Sequence, residues 1–137
     1  MKSIGIDIDK KRAICFALEK DSQGTSINLT GKFKYLAIED DRDNLEIQSF
    51  QSTIHTFFEN INPDRIGIIS RQVKGRFVAS PLSFKLEGLI QCYKNVNIEF
   101  ISKPTLTAYY KKNHFNISYD NSYQENAARL ANYLLQK

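Results

Sequence analysis

Residues 3–9, SIGIDID, place two carboxylates, Asp7 and Asp9, in an apolar run. A carboxylate buried mid-strand is costly unless a partner or a metal compensates it. Asp7 therefore has two readings. It is an oxygen ligand of the kind a hard divalent cation takes, or a strand-end carboxylate hydrogen-bonded to backbone or paired with a base. Asp9 precedes Lys10 and Lys11, and Asp favours turns, so it is assigned to a turn. The other chemistry-bearing cluster is RQVKGRF at 71–77. Arg71, Lys74 and Arg76 would supply phosphate contacts, Gly75 would let the backbone approach a phosphate, and Phe77 would stack on a base. The alternative is that Phe77 tucks this loop into the core. Lys111 and Lys112 extend a basic face. Ser122-x-x-Glu125 ahead of an alanine-rich run is a capping-box pattern. His55 and His114 have no metal-ligand partner at suitable spacing. Tyrosines 109, 110, 119, 123 and 133 are read as packing.

The charge is unevenly spread. The net charge is +4, yet residues 65–112 carry nine Lys/Arg against two Asp/Glu, and residues 1–64 carry eight against eleven. A segment that basic is the footprint of a polyanion-binding surface or a solvated face. At 137 residues, 42% hydrophobic and 25% charged, the chain is expected to form a single domain over 1–137. No apolar run approaches the roughly 20 residues that span a bilayer, so no membrane partner is expected. The N-terminus reads into a strand with no signal-peptide pattern. Cys15 and Cys92 lie far apart inside apolar patterns, and both are expected to be reduced core thiols of a cytoplasmic protein.

The positioning elements follow from periodicity. Ile4, Ile6 and Ile8 alternate with Gly5, Asp7 and Asp9, a strand pattern. RAICFALEK at 12–20 is apolar on both faces, and a third strand is expected over 25–37, joined by short hairpin connections. Ile47, Phe50, Ile54, Phe57, Phe58 and Ile61 keep the 3–4 spacing of a buried helix face. RIGIIS is a short buried strand, a helix starts at Pro81, NIEFIS is another strand, and two helices follow. The order β-β-β-α-β-α-β-α gives a mixed five-stranded α/β sheet, order 3-2-1-4-5, with helices on both faces. That is the ribonuclease H-like topology.

The block KGRFVASPLSFKLEGLIQ, residues 74–91, resembles a family of small bacterial proteins known only as a domain of unknown function. More distantly, Ser83, Lys85 and Leu86 are similar to the Ser…Leu-Lys-Leu helix of RuvC-type Holliday-junction resolvases. GIDID is similar to their first strand, and PTLTAYYKKN to their later Lys-bearing segment. This resemblance adds Lys85 to the expected nucleic-acid contacts. It implies that Asp7 is a metal ligand, joined in those enzymes by a glutamate ending the fourth strand and two aspartates of the last helix. Two Mg²⁺ ions about 4 Å apart need such a set of acids. Here Ser70 stands at the glutamate position. In the run ENAARLA, Glu125 or Asn126 takes the first helix acid's place, and Ala128 or Arg129 the second's. The opening Gly-Ile-Asp is also similar to the actin-like sugar kinases, but their second phosphate motif and adenosine-binding glycines are absent.

The resulting expectation is a RuvC-like protein that binds DNA or RNA with an eroded metal-nuclease site, its catalytic remnant being Asp7 and Glu125. One alternative is an active Mg²⁺-dependent nuclease completed by Asp9, Glu125 or Asp120. Another is a protein-interaction scaffold. A homodimer is left open. Arg129 or another basic side chain is expected to compensate Asp7 where the nucleases hold metal; a guanidinium suits this because it grips a carboxylate with two hydrogen bonds.

Overall fold

The computed structural model describes residues 1–70 and 80–136. β1 (Lys2–Asp9) and β2 (Arg12–Lys20) form an antiparallel hairpin in which Asp9 pairs with Arg12. The turn is Lys10-Lys11, and Lys10 adopts a left-handed φ of 58°. The expected third strand is broken into β3 (Ser26–Asn28) and β4 (Tyr35–Ala37), both paired with β2. The reason lies between them. Gly31 takes a φ of +60°, and the Ala17 N–H donates to Thr30 Oγ1 at 3.0 Å. A side-chain hydroxyl thus satisfies a β2 donor where the partner strand bends away.

α1 (Asn44–Ile61) is capped by Asp43, whose carboxylate accepts from Leu45 N–H, and Asn62 ends it in the left-handed region. β5 (Arg65–Ile69) then pairs parallel with β1. α2 (Pro81–Gln91) follows a Ser80 cap, and β6 (Ile98–Ile101) pairs parallel with β5. α3 (Lys103–Lys112) is capped by Ser102, and α4 (Glu125–Gln136) follows a 3₁₀ turn over Ser122–Gln124. The sheet order is β3-β2-β1-β5-β6, with β4 also on β2. This is the expected 3-2-1-4-5 order with a split third strand.

Strand alternation divides the core. Ile4, Ile6 and Ile8 pack with Phe50, Ile54 and Phe58 of α1 and with Leu86 and Ile90 of α2. On the opposite face, Ile14, Phe16 and Leu18 of β2 meet Ala127, Ala128 and Ala131 of α4. Leu106 of α3 joins Ile69, Leu130 and Leu134 in a third cluster. Cys15 is buried as expected, and burial pushes its thiol up to about 12. Cys92 corrects the expectation: it is exposed, because it caps the C-terminus of α2 outside the buried stripe.

α4 is clamped onto the sheet by polar contacts as well. The buried Ser3 hydroxyl donates to Ala131 O at 2.7 Å. Arg65 donates through Nη1 to Leu134 O at 2.7 Å and through Nε to Glu99 Oε2 at 2.8 Å, tying β5, β6 and α4 together. A bidentate guanidinium–carboxylate pair fixes orientation as well as distance.

The closest approach is at Gly5. A Cβ there would lie 2.2 Å from Ala127 O and 2.6 Å from Ala131 N, both backbone atoms of α4. Neither can yield without moving the helix. Gly5→Ala should therefore lower stability by about 3 kcal/mol or more, the upper range for overpacking. Gly88, where an added Cβ meets nothing within 4 Å, is the control. Gly88→Ala should be neutral or stabilising by up to about 1 kcal/mol, since alanine is the better helix residue. Urea denaturation of both variants measures this, and equal effects would contradict the packing.

Candidate functional site

Because β1, β5 and β6 run parallel, their carboxyl ends share one edge of the sheet. Asp7 is 9% exposed near that edge and lies in the β1 alternation with Ser3 and Gly5, on the α4 side. Crevices outside the carboxyl ends of strands are where open α/β sheets bind ligands. A cleft of about 340 Å³ opens there, lined by Asp7, Asp9, Lys103, Tyr123, Glu125 and Asn126 among others.

α4 meets Asp7 with Asn126, whose Nδ2 lies 3.5 Å from Asp7 Oδ2, at the long end of hydrogen-bonding range. Arg129, the cation named for this place by the sequence, is turned elsewhere. Arg129 lies two residues from both Ala127 and Ala131, which face Gly5. At 3.6 residues per turn, two residues are about 200° round the helix, so Arg129 points away from β1. Its guanidinium rests 5.5 Å from the centroids of both Tyr110 and Phe115, and 3.9 Å from Glu125 Oε2.

The expected Ser122/Glu125 cap is displaced by one residue. Asn121 and Gln124 form the capping box instead, with the Asn121 N–H donating to Gln124 Oε1 at 3.0 Å. This leaves the Glu125 carboxylate at the cleft, where it accepts from the Tyr119 hydroxyl at 3.2 Å. The Tyr119 phenol is shifted up, first by desolvation and then by that carboxylate.

Other expected residues separate. Asp9 lies at the cleft and pairs with Arg12 at 3.4 Å, whereas Asp120 pairs with Lys34 at 3.3 Å and does not line the cleft. Ser70 follows β5 at the same edge, its N–H donating to Ile101 O. Lys85 is held by Asp41, donating to its backbone oxygen at 2.9 Å and its carboxylate at 3.0 Å. That bond leads the causes holding the Asp41 carboxyl below its ordinary value. Lys111 and Lys112 are exposed in the last turn of α3. Arg71, Lys74, Gly75, Arg76 and Phe77 lie outside the described residues. The tyrosines pack largely as expected: Tyr109 stacks edge-on with Tyr110 and Tyr133. His55 is satisfied by Leu89 O at 3.0 Å.

Two features at or beside the cleft escaped the sequence reading. Lys103 reaches it because it opens α3 just past the Ser102 cap that follows β6, and its place in the basic segment was the available signal. The second is Arg12, whose guanidinium lies 4.7 Å from the Tyr123 ring centroid and 5.2 Å from that of Tyr35. No sequence spacing joins those three residues.

The donor set decides what the cleft holds. Among the described residues, no group of three or more His, Cys, Asp or Glu side chains gathers in a metal-binding cluster. Asp7 faces an amide donor, and a lysine ammonium lines the same cleft. Octahedral magnesium needs several oxygen ligands, and a two-ion centre needs more. The described residues do not fit a two-metal centre.

Comparison with known proteins places this geometry. No curated protein matches the chain in sequence. Among solved structures, Thermus thermophilus RuvC is similar with a TM-score of 0.70 at 9% identity, over 96% of this chain and 91% of that one. T. thermophilus RuvC in complex with Holliday junction substrate gives 0.65 at 9% identity, over 96% and 90%. The yeast mitochondrial Holliday junction resolvase gives 0.51 at 16% identity, over 79% of this chain and 53% of that one. At such identities the likeness is one of fold, and the fold is the RuvC-like ribonuclease H fold. The model of the family described as protein of unknown function (DUF3010) matches residues 1–134. The chain belongs to the DUF3010 family, built on a RuvC-like ribonuclease H fold.

Proposed function

We propose that this protein binds branched or otherwise structured nucleic acid at the carboxyl edge of its sheet without two-metal cleavage there. The observation that carries this reading is the makeup of the Asp7 cleft. It occupies the carboxyl edge of the sheet in a RuvC-like fold, yet Asp7 there meets an asparagine amide, with a lysine lining the same cleft. Cationic and amide groups suit phosphate oxygens better than they suit magnesium. The surplus of Lys/Arg over 65–112 supports the same partner, as do Lys10 and Lys11 at the hairpin turn. In this reading Arg71, Lys74, Gly75, Arg76 and Phe77 form a contact loop, and Lys111 and Lys112 widen the basic face. Lys85 serves by anchoring α2 to Asp41, with Asp41 competing for any phosphate.

The second reading, a magnesium-dependent nuclease, is favoured by one observation. Asp7, Asp9 and Glu125 all line the cleft. The metal test below separates the two.

Binding to a four-way DNA junction should be tight at low salt and fall linearly in log K against log salt, because phosphate neutralisation releases counterions. Alanine at Arg71, Lys74 and Arg76 together should flatten that slope by up to about three units. Millimolar Mg²⁺ or Mn²⁺ should leave the junction uncut. A flat salt profile in the folded wild type would sink the nucleic-acid reading, whereas metal-dependent nicking lost in Asp7→Asn would establish the nuclease.

The metal reading yields a separate expectation. Ser70→Glu with Asn126→Asp adds two carboxylates at the edge that carries Asp7. The double variant should bind Mg²⁺ by calorimetry more tightly than the wild type, and lose stability when metal is withheld, since adjacent like charges repel. Wild-type affinity equal to that of the variant would show that the natural donor set is already sufficient.

A further inference from the structure

Arg129, freed from Asp7, poses its own question. Among the described residues its side chain makes no hydrogen bond, and its Nε is buried without a partner. The side chain is 39% exposed, so the guanidinium is half withdrawn from water, while its only ion pair among the described residues, to Glu125, spans 3.9 Å. A guanidinium offers five donors, and leaving them unmet in a desolvated setting is costly.

Its surroundings concentrate positive charge. Arg129 borders a cavity of about 430 Å³ that is also lined by Tyr110, Lys111, Lys112, His114 and Phe115, and no Asp or Glu is among the described lining residues. The rings of Tyr110 and Phe115 hold the guanidinium plane, each centroid 5.5 Å away. The Tyr110 ring is in turn fixed, its hydroxyl donating to Arg129 O at 2.7 Å and accepting from Asn132 Nδ2 at 3.0 Å. Burial, the leading cause, pushes the Tyr110 phenol up to about 12, so it stays neutral and does not supply an anion. The guanidinium is therefore held in place by two rings, with the nitrogen-bearing side chains of Lys111, Lys112, Asn113 and His114 around the same space.

We propose that this cavity is a phosphate-ester site, distinct from the Asp7 cleft, in which Arg129 is the orienting donor and Lys111 and Lys112 supply charge. A planar fork of donors matches a phosphate's oxygens two at a time, and flanking ammonium groups add charge without demanding geometry. Carboxylate ligands would use the same fork, but the excess of cationic lining favours the more highly charged phosphate. The ester could belong to a nucleic-acid backbone or to a small phosphorylated molecule. Choosing the backbone rests on the nucleic-acid reading above, whereas the site itself does not.

The test is a nuclear magnetic resonance titration of the full chain, following the Arg129 Nε–H and the backbone amides of 110–115. One arm adds inorganic phosphate, a second a nucleoside monophosphate, and a third a single-stranded oligonucleotide. The site requires these resonances to shift in at least one arm, and requires Arg129→Gln to weaken that binding by about 10- to 100-fold, the loss of charge-assisted hydrogen bonds. Arg129→Lys, which keeps the charge without the fork, should fall between. Shifts with the small phosphates alone would assign the site to a small molecule, and would leave the nucleic-acid reading to stand or fall on its junction salt profile. Unmoved resonances in all three arms, or equal affinity in a folded Arg129→Gln protein, would overturn the proposal.

Discussion

The contact on which the rest depends is backbone against backbone, where β1 meets α4 at Gly5. With no side chain between them, the helix lies directly on the central strand, and the 2.2 Å that a Cβ would leave to Ala127 O measures how little room remains. Glycine is tolerated there because close approach outweighs its entropic cost in a strand. The alanines at 127, 128 and 131 serve the same end, since small residues let the helix settle onto the sheet. Ser3 and Arg65 then lock the register through Ala131 O and Leu134 O.

Once the helix is seated, the side chain that α4 offers to Asp7 is determined. Two residues along β1 from Gly5, Asp7 projects to the same face, and the first turn of α4 arrives beside it. The same seating rotates Arg129 to the far side of the helix, against Tyr110 and Phe115. One steric constraint thus produces both the amide-faced carboxylate at the cleft and the guanidinium that borders the second cavity. The fold likeness to Thermus thermophilus RuvC extends over 96% of the chain.

What was legible in the sequence follows from this. The alternation of Ile4, Ile6 and Ile8, the α1 stripe and the two short apolar strands announced the element order, because periodicity is a local property. The sheet order followed from connection rules. The break at Thr30–Gly31 was not legible, since it depends on a hydroxyl reaching Ala17 across the hairpin. The cap at Asn121 and Gln124 competed with an equally good pattern one residue later, and tertiary packing chose between them. Cys92 fell inside an apolar stretch but past the end of its helix, where the buried stripe no longer applies. Asp7 was found because a carboxylate in an apolar strand is conspicuous, and Ser70 because a known pattern lacked an acid there. Arg129's true neighbours come from α3 and the segment after it, and no spacing along α4 could reveal them.

The proposal rests most directly on the approach of the Asn126 amide of α4 to Asp7. The side-chain NH₂ resonances of Asn126 report on it directly. They should be shifted from the positions of a free asparagine, move when Asp7 is replaced by Asn, and stay unmoved in millimolar Mg²⁺. Resonances that respond to Mg²⁺ in the wild type, with the response abolished in Asp7→Asn, would contradict the account and make the cleft a metal site.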